Sequence, residues 1–145
     1  MNIKYILDIL NIIVLFFILC KIKNFDKRDK ILSLLIILTI IIYAIGRFKN
    51  STKTISFFHL CWVFLMIIIP LITKNKFLLF IYSVIILITI TSRKILGSCM
   101  IRKLENNKSK FTNNKISKFI NPYWDYIFAI LGIVSNYKLY KLSYD

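Results

Sequence analysis

Four long apolar runs, separated by short lysine-rich loops, constrain the fold of this chain more than any other feature. The runs are Tyr5–Cys20, Ile31–Gly46, Ile55–Thr73 and Phe77–Ser92, and each is nearly continuous in Ile, Leu, Val and Phe. A helix at the surface of a soluble protein keeps a polar face, and these runs have almost none, so their natural solvent is lipid. They predict an all-α fold, a polytopic transmembrane helical bundle of four spans.

The rest of the chain gives the domain organisation. We divide the 145 residues into a four-span domain over 1–96, a basic segment over 97–118 and a C-terminal element over 119–145. The last element is apolar and aromatic, with Pro122 suited to a first helical turn and with Tyr123, Trp124 and Tyr126 typical of an interfacial aromatic belt. Two interpretations stay open for it: a fifth span, and a helix that lies on the membrane surface.

Two of the predicted spans are short, and another contains a proline. Ile31–Gly46 and Phe77–Ser92 have 16 residues each, about 24 Å of helix, which is short of a hydrocarbon core of about 30 Å. Short spans favour a thin bilayer such as that of the endoplasmic reticulum. Pro70 should bend the end of the third span, and a neighbouring group should satisfy the carbonyl that it frees.

The net charge of +15 comes from 21 Lys and Arg against 6 Asp and Glu. These cations flank the apolar runs, so lipid phosphate and membrane orientation explain them, and no specific nucleic-acid partner is expected. With four spans, twelve cations lie on the side of the N-terminus and seven on the other. The count predicts that the N-terminus and the basic segment face the cytosol, and that Arg93–Lys118 binds anionic lipid head groups.

The cysteines and the single histidine do not indicate a metal or cofactor site. Cys20, Cys61 and Cys99 are odd in number and far apart, a pattern that supports neither a disulfide framework nor a zinc site. His59 and Cys61 are two residues apart, which places them on different faces of a helix. We therefore predict no metal and no cofactor.

Two polar residues in the first span are the main candidates for function. Asp8 and Asn11 share a helical face with Lys4, and an acid inside a span is costly unless it is paired or faces a cavity. One interpretation is a pore or ion site lined by this face. The other is packing, in which Asp8 pairs with Lys4 and Asn11 bonds to a neighbouring helix.

The segment after the fourth span carries a resemblance. Cys99-Met-Ile-Arg-Lys-Leu104-Glu105 resembles the C-x-L-T-x-L-E segment of a family of small uncharacterised multi-span membrane proteins, found in bacteria and large DNA viruses. Cys99, Leu104 and Glu105 match, His59 corresponds to a membrane histidine upstream, and Arg102 replaces the usual Thr. The resemblance implies no known activity. It adds a viral membrane component, in a virion or reticulum-derived membrane, to the interpretations of this chain.

No motif of a common catalytic class occurs in the sequence, such as G-x-x-x-x-G-K-[ST], H-E-x-x-H or G-x-S-x-G. We therefore expect a non-enzymatic membrane protein of structural or interaction role, whose partners are lipid and either further copies or other membrane proteins. Two alternatives stay open. One is a small oligomeric channel or transporter that uses the Asp8 and Asn11 face, and the other is a membrane enzyme that uses His59, Cys99 and Glu105.

Overall fold

A computed structural model describes residues 3–97, 99–101 and 121–144, apart from the side chains of Ile3, Lys4 and Asn121. Every regular element in these ranges is helical, which confirms the predicted all-α class. The 3-10 turns Ile22–Asn24 and Asn121–Tyr123 follow the first long helix and precede the last. The long helices in the described ranges are α1 (Ile3–Lys21), α2 (Lys27–Phe48), α3 (Thr52–Ile72), α4 (Lys76–Leu96) and α5 (Trp124–Tyr144).

The first four helices are long and apolar enough to cross a membrane. α2 has 22 residues and α4 has 21, so each is roughly 32 Å long and matches a hydrocarbon core of about 30 Å. The predicted length of the second and fourth spans was wrong, because both helices continue through the charged residues that flank the apolar runs. The expectation of a thin bilayer depended on the shorter length, so the longer helices remove its basis.

Polar side chains in the loops define where three of the helices begin. The Asp26 carboxylate accepts a hydrogen bond from the Asp29 amide at 2.7 Å, and the Ser51 hydroxyl accepts one from the Thr54 amide at 3.3 Å. Asn75 accepts from the first free amides of α4 at 3.0 and 3.2 Å. Each cap satisfies amide groups that have no partner within the helix, and it thereby fixes the residue at which the helix begins.

The closest pairs of helices are α2 with α3 and α4 with α5. A glycine permits close approach in each pair. A Cβ at Gly46 of α2 would lie 3.1 Å from the Ile55 side chain of α3, and a Cβ at Gly132 of α5 would lie 3.2 Å from the Ile86 side chain of α4. α1 is the least buried of the four apolar helices, and it packs mainly through one stripe of side chains.

α5 lies lengthwise and antiparallel along α4. At one end Arg93 of α4 pairs with Asp125 of α5, with Nε and Oδ1 2.5 Å apart. In the middle the hydroxyls of Ser83 and Ser135 are 3.1 Å apart. At the other end the Lys138 ammonium donates to the carbonyl oxygen of Leu71, near the end of α3, at 2.8 Å. These contacts run from one end of the bundle to the other.

Pro70 lies inside α3 and has no amide hydrogen to donate to the carbonyl of Met66, one turn earlier. The Tyr82 hydroxyl of α4 donates to that carbonyl oxygen at 2.6 Å. Tyr82 is almost fully buried, with 1 % of its surface exposed. The expectation that a neighbour satisfies the freed carbonyl is thereby confirmed, and the hydrogen bond joins α3 to α4 at the proline.

Candidate functional site where α1 meets the end of α2

The face of α1 that contains Asn11 is turned into the bundle. Leu7, Asn11, Val14 and Ile18 are all buried, and their spacing of three or four residues forms one stripe along the helix. Asp8 follows Leu7 at the edge of this stripe, and its side chain is about one-third exposed (33 %). The stripe faces other helices of the same chain, so it is not a free surface of the monomer.

Asp8 is held by two residues of α2. The Tyr43 hydroxyl donates to Oδ1 at 2.6 Å. The Arg47 guanidinium donates from Nε to Oδ1 at 3.3 Å and from Nη2 to Oδ2 at 3.1 Å. Tyr43 and Arg47 are four residues apart and therefore lie on one face of α2. Both carboxylate oxygens have donors, and the two-pronged pairing with Arg is a geometry that fixes orientation as well as charge.

An apolar cluster packs around the Tyr43 ring, so water can reach the contact of Asp8 with Tyr43 and Arg47 from one side only. Tyr43 is 3 % exposed, and its ring centroid lies 4.9 Å from that of Phe58 in α3. The cluster also includes Leu7, Ile55 and Ile101, with Cys99 packed against it. Arg47 remains 23 % exposed at the end of α2. The contact therefore lies at the boundary between the apolar interior and the solvent at the end of the helix.

The other predicted site residues lie in different surroundings. Asn11 is buried, and its amide nitrogen Nδ2 has no hydrogen-bond partner among the described residues, so this atom does not form the expected bond to a neighbouring helix. His59 is buried in α3 next to Phe58. The Cys99 thiol is half-buried. Glu105 lies outside the described residues, as does the side chain of Lys4, the predicted partner of Asp8.

Sequence reasoning did not identify Arg47 as the partner of Asp8. It counted Arg47 only as one of the cations that set the orientation, and it did not single out Tyr43. One signal was available, because consecutive spans are antiparallel and the start of α1 must therefore lie beside the end of α2. An acid one or two turns into the first helix and a cation in the last turn of the second are then at a similar depth.

A second polar contact that sequence reasoning missed lies at the opposite end of the bundle. Asp29, in the first turn of α2, is 3 % exposed. The Thr73 hydroxyl donates to its Oδ1 at 2.5 Å, and the Asn75 amide donates to the Thr73 Oγ1 at 3.1 Å. This chain of hydrogen bonds joins the first turn of α2 to the loop between α3 and α4. Among the described residues, no group of three or more His, Cys, Asp and Glu is placed to hold a metal ion.

The fold defines a multi-pass helical membrane protein, and comparison with known proteins does not narrow that class. No protein-family profile, curated protein or solved structure matches the chain. The resemblance of residues 99–105 to the C-x-L-T-x-L-E segment stays a prediction.

Proposed function

We propose that this chain has a structural or interaction role within a membrane and performs no catalysis. The observation that carries the proposal is the pairing of Asp8 with Arg47 and Tyr43 inside one chain. An ionisable residue in a span usually serves transport when it faces a water-filled cavity. Here both carboxylate oxygens are engaged by α2, so the acid serves to dock α1.

The position of the Asn11 face argues against a pore assembled from several copies. A pore-lining face must be on the outside of each subunit before assembly. Leu7, Asn11 and Val14 are instead buried within the monomer. The outward face of α1 carries Ile9, Ile12 and Phe16, which are all exposed and apolar. Such a face suits lipid or another apolar helix better than an ion.

The surroundings of Cys99 support a role without catalysis. Its thiol packs against the apolar cluster around Tyr43 and Phe58. Reactive cysteines lie in electropositive, partly exposed surroundings, whereas a cysteine in an apolar cluster behaves as a small hydrophobe. The resemblance segment therefore contributes Cys99 to packing at the end of the bundle.

α5 is proposed as a fifth span. Its exposed face is apolar in the middle, at Ile130 and Ile133, and carries tyrosines towards both ends, at Tyr126, Tyr137 and Tyr140. Tyrosines at the two ends of an apolar face are typical of a helix that reaches both interfaces of a bilayer. The lengthwise packing along α4 supports the same placement, because a helix on the membrane surface would cross α4 at one end only.

The proposed orientation keeps the N-terminus and residues 93–118 on the cytosolic side, where Arg93–Lys118 would contact anionic head groups. A fifth span moves Lys138 and Lys141 to the opposite side. The cation counts then become twelve and nine. The side of the N-terminus still carries more cations, although the difference between the two sides falls from five to three.

Ion flux through proteoliposomes that contain the purified chain tests the proposed role. We expect no flux above that of protein-free liposomes for the wild type, for Asp8→Asn or for the control Lys53→Gln, which changes an exposed cation of α3. A wild-type current that Asp8→Asn abolishes or reselects, while Lys53→Gln leaves it intact, would establish the channel alternative in place of this proposal.

A further inference from the structure

The fold gathers cations from three distant parts of the chain at one end of the bundle. These parts are the segment Lys21–Lys30, the loop between α3 and α4, and the last turns of α5. The Asp29 to Thr73 hydrogen bond joins the first two, and the Lys138 to Leu71 hydrogen bond joins the third. We call this surface the basic end, and its nine cations are Lys21, Lys23, Lys27, Arg28, Lys30, Lys74, Lys76, Lys138 and Lys141.

The charge of the basic end is not neutralised by the acids beside it. Asp26 and Asp29 are the acids in its described segments. Asp26 caps α2, and Asp29 is buried and bonded to Thr73. No ion pair joins one of the nine cations to an acid within the described residues. At the other end of the bundle the described arginines are paired, Arg47 with Asp8 and Arg93 with Asp125.

A collar of exposed apolar and aromatic side chains borders the basic end. Leu71 and Ile72 end α3 beside Lys74, and Tyr137 and Tyr140 flank Lys138 on α5; all four are exposed. A soluble anionic partner would meet cations without needing such a collar. A phospholipid supplies a phosphate to the cations and an acyl chain to the apolar side chains directly below them.

We propose that the basic end is a binding surface for the phosphate groups of anionic phospholipids. This surface is separate from the Arg93–Lys118 segment and is assembled only by the folded chain. Each lysine or arginine near an anionic surface adds attraction that salt screens over about 8 Å. Three sequence segments therefore act together on head groups that contact this end, and lipid in turn stabilises the docking of α5.

Cys20 provides a natural probe, because it is exposed in the turn of helix before Lys21. The experiment uses the full chain in lipid nanodiscs, with Cys61 and Cys99 changed to Ser and a fluorophore on Cys20. Quenching by phosphatidylglycerol with a nitroxide on its head group is compared with quenching by equally labelled phosphatidylcholine at the same mole fraction. We expect the anionic lipid to quench at least about threefold more strongly, and added salt to remove the difference.

Two matched triple variants locate the binding. Arg28→Gln, Lys74→Gln and Lys141→Gln remove one exposed cation from each segment of the basic end. Lys49→Gln, Lys53→Gln and Lys94→Gln remove three exposed cations from the other end. The first triple should lower the quenching ratio, because six of the nine cations remain, and the second should leave it unchanged.

Equal quenching by both lipids in the wild type would overturn the proposal without requiring any variant to fold. An equal loss in both triple variants would overturn it as well, since the attraction would then be a property of net charge. Displacement of the anionic lipid by millimolar inorganic phosphate or soluble polyphosphate would assign the surface to a soluble anion instead. Persistence of the lipid preference in the presence of those anions is the expected result.

Discussion

Asp8 is accommodated in an apolar helix because two residues of α2 donate to both of its oxygens. The same principle applies to three further polar groups at contacts between helices. Asp125 meets Arg93, Asp29 meets Thr73, and the carbonyl freed by Pro70 meets Tyr82. A polar group without a hydrogen-bond partner inside a membrane costs on the order of several kcal/mol. Each contact therefore selects one register between two helices as well as adding stability.

The first prediction concerns Asp8 and Arg47. Asp8→Leu should lower the free energy of unfolding by about 1–2 kcal/mol, because it removes three interhelical hydrogen bonds and leaves the guanidinium unpaired. Asp8→Asn should cost less, since the amide oxygen still accepts from Tyr43. Unfolding in mixed detergent, followed by circular dichroism, measures both changes.

A double-mutant cycle separates the pair from its surroundings. Asp8→Leu combined with Arg47→Leu should cost less than the sum of the single changes, whereas Asp8→Leu combined with Lys53→Gln should be additive. Additivity in both cycles would mean that the ion pair contributes nothing to the docking of α1.

The helices differ in how much of their position the sequence determines. The apolar runs and flanking charges located α1 to α4, but not their ends. The caps Asp26 and Ser51 start α2 and α3 four and three residues before the apolar runs, and α2 and α4 continue two and four residues past them. The sequence left the placement of α5 open, since its polar residues suit both a surface and a span. Its buried stripe of Phe128, Leu131, Gly132 and Ser135 becomes meaningful only once α4 is placed against it.

The second prediction tests the contact at Pro70. Tyr82→Phe keeps the shape of the ring and removes its hydroxyl, which leaves the Met66 carbonyl without its donor. The change should cost about 1 kcal/mol of unfolding free energy. In a Pro70→Ala background the alanine amide can donate to the same carbonyl, so the cost of Tyr82→Phe should fall towards zero. An equal cost in both backgrounds would show that the hydroxyl does not serve the freed carbonyl.

The third prediction tests the close approach of α4 and α5. Gly132→Ile places a branched side chain where a Cβ alone would lie 3.2 Å from Ile86, so the helices must separate. We expect a loss of about 1–3 kcal/mol and weaker protection of the Ser135 amide in hydrogen exchange. Ala129→Ile is the control, because Ala129 lies on the exposed face of the same helix. Equal losses from both substitutions would contradict the packing of α5 through Gly132.

At the scale of the whole molecule the sequence predicts the class and leaves the partners of its polar residues undetermined. Hydropathy identifies spans one at a time, whereas the pairs Asp8 with Arg47 and Arg93 with Asp125 join residues 39 and 32 positions apart. Which helices become neighbours depends on packing that no single run encodes. The sequence therefore singles out Asp8 and Asn11 as candidates from their depth in a span, whereas the contacts of Arg47, Asp29 and Thr73 follow only from the folded chain.

The proposed fifth crossing would place the two flanks of α5 on opposite sides of the membrane, and this is the central claim about the molecule. Single cysteines at Lys108 and at Tyr144, in a chain whose Cys20, Cys61 and Cys99 are changed to Ser, test it with an impermeant thiol reagent. We predict that the cysteine at 144 reacts in intact cells and that the cysteine at 108 reacts only after permeabilisation. The reverse pattern would keep five crossings and invert the orientation. Labelling of both positions from the same side would contradict the account, because α5 would then lie on the membrane rather than cross it.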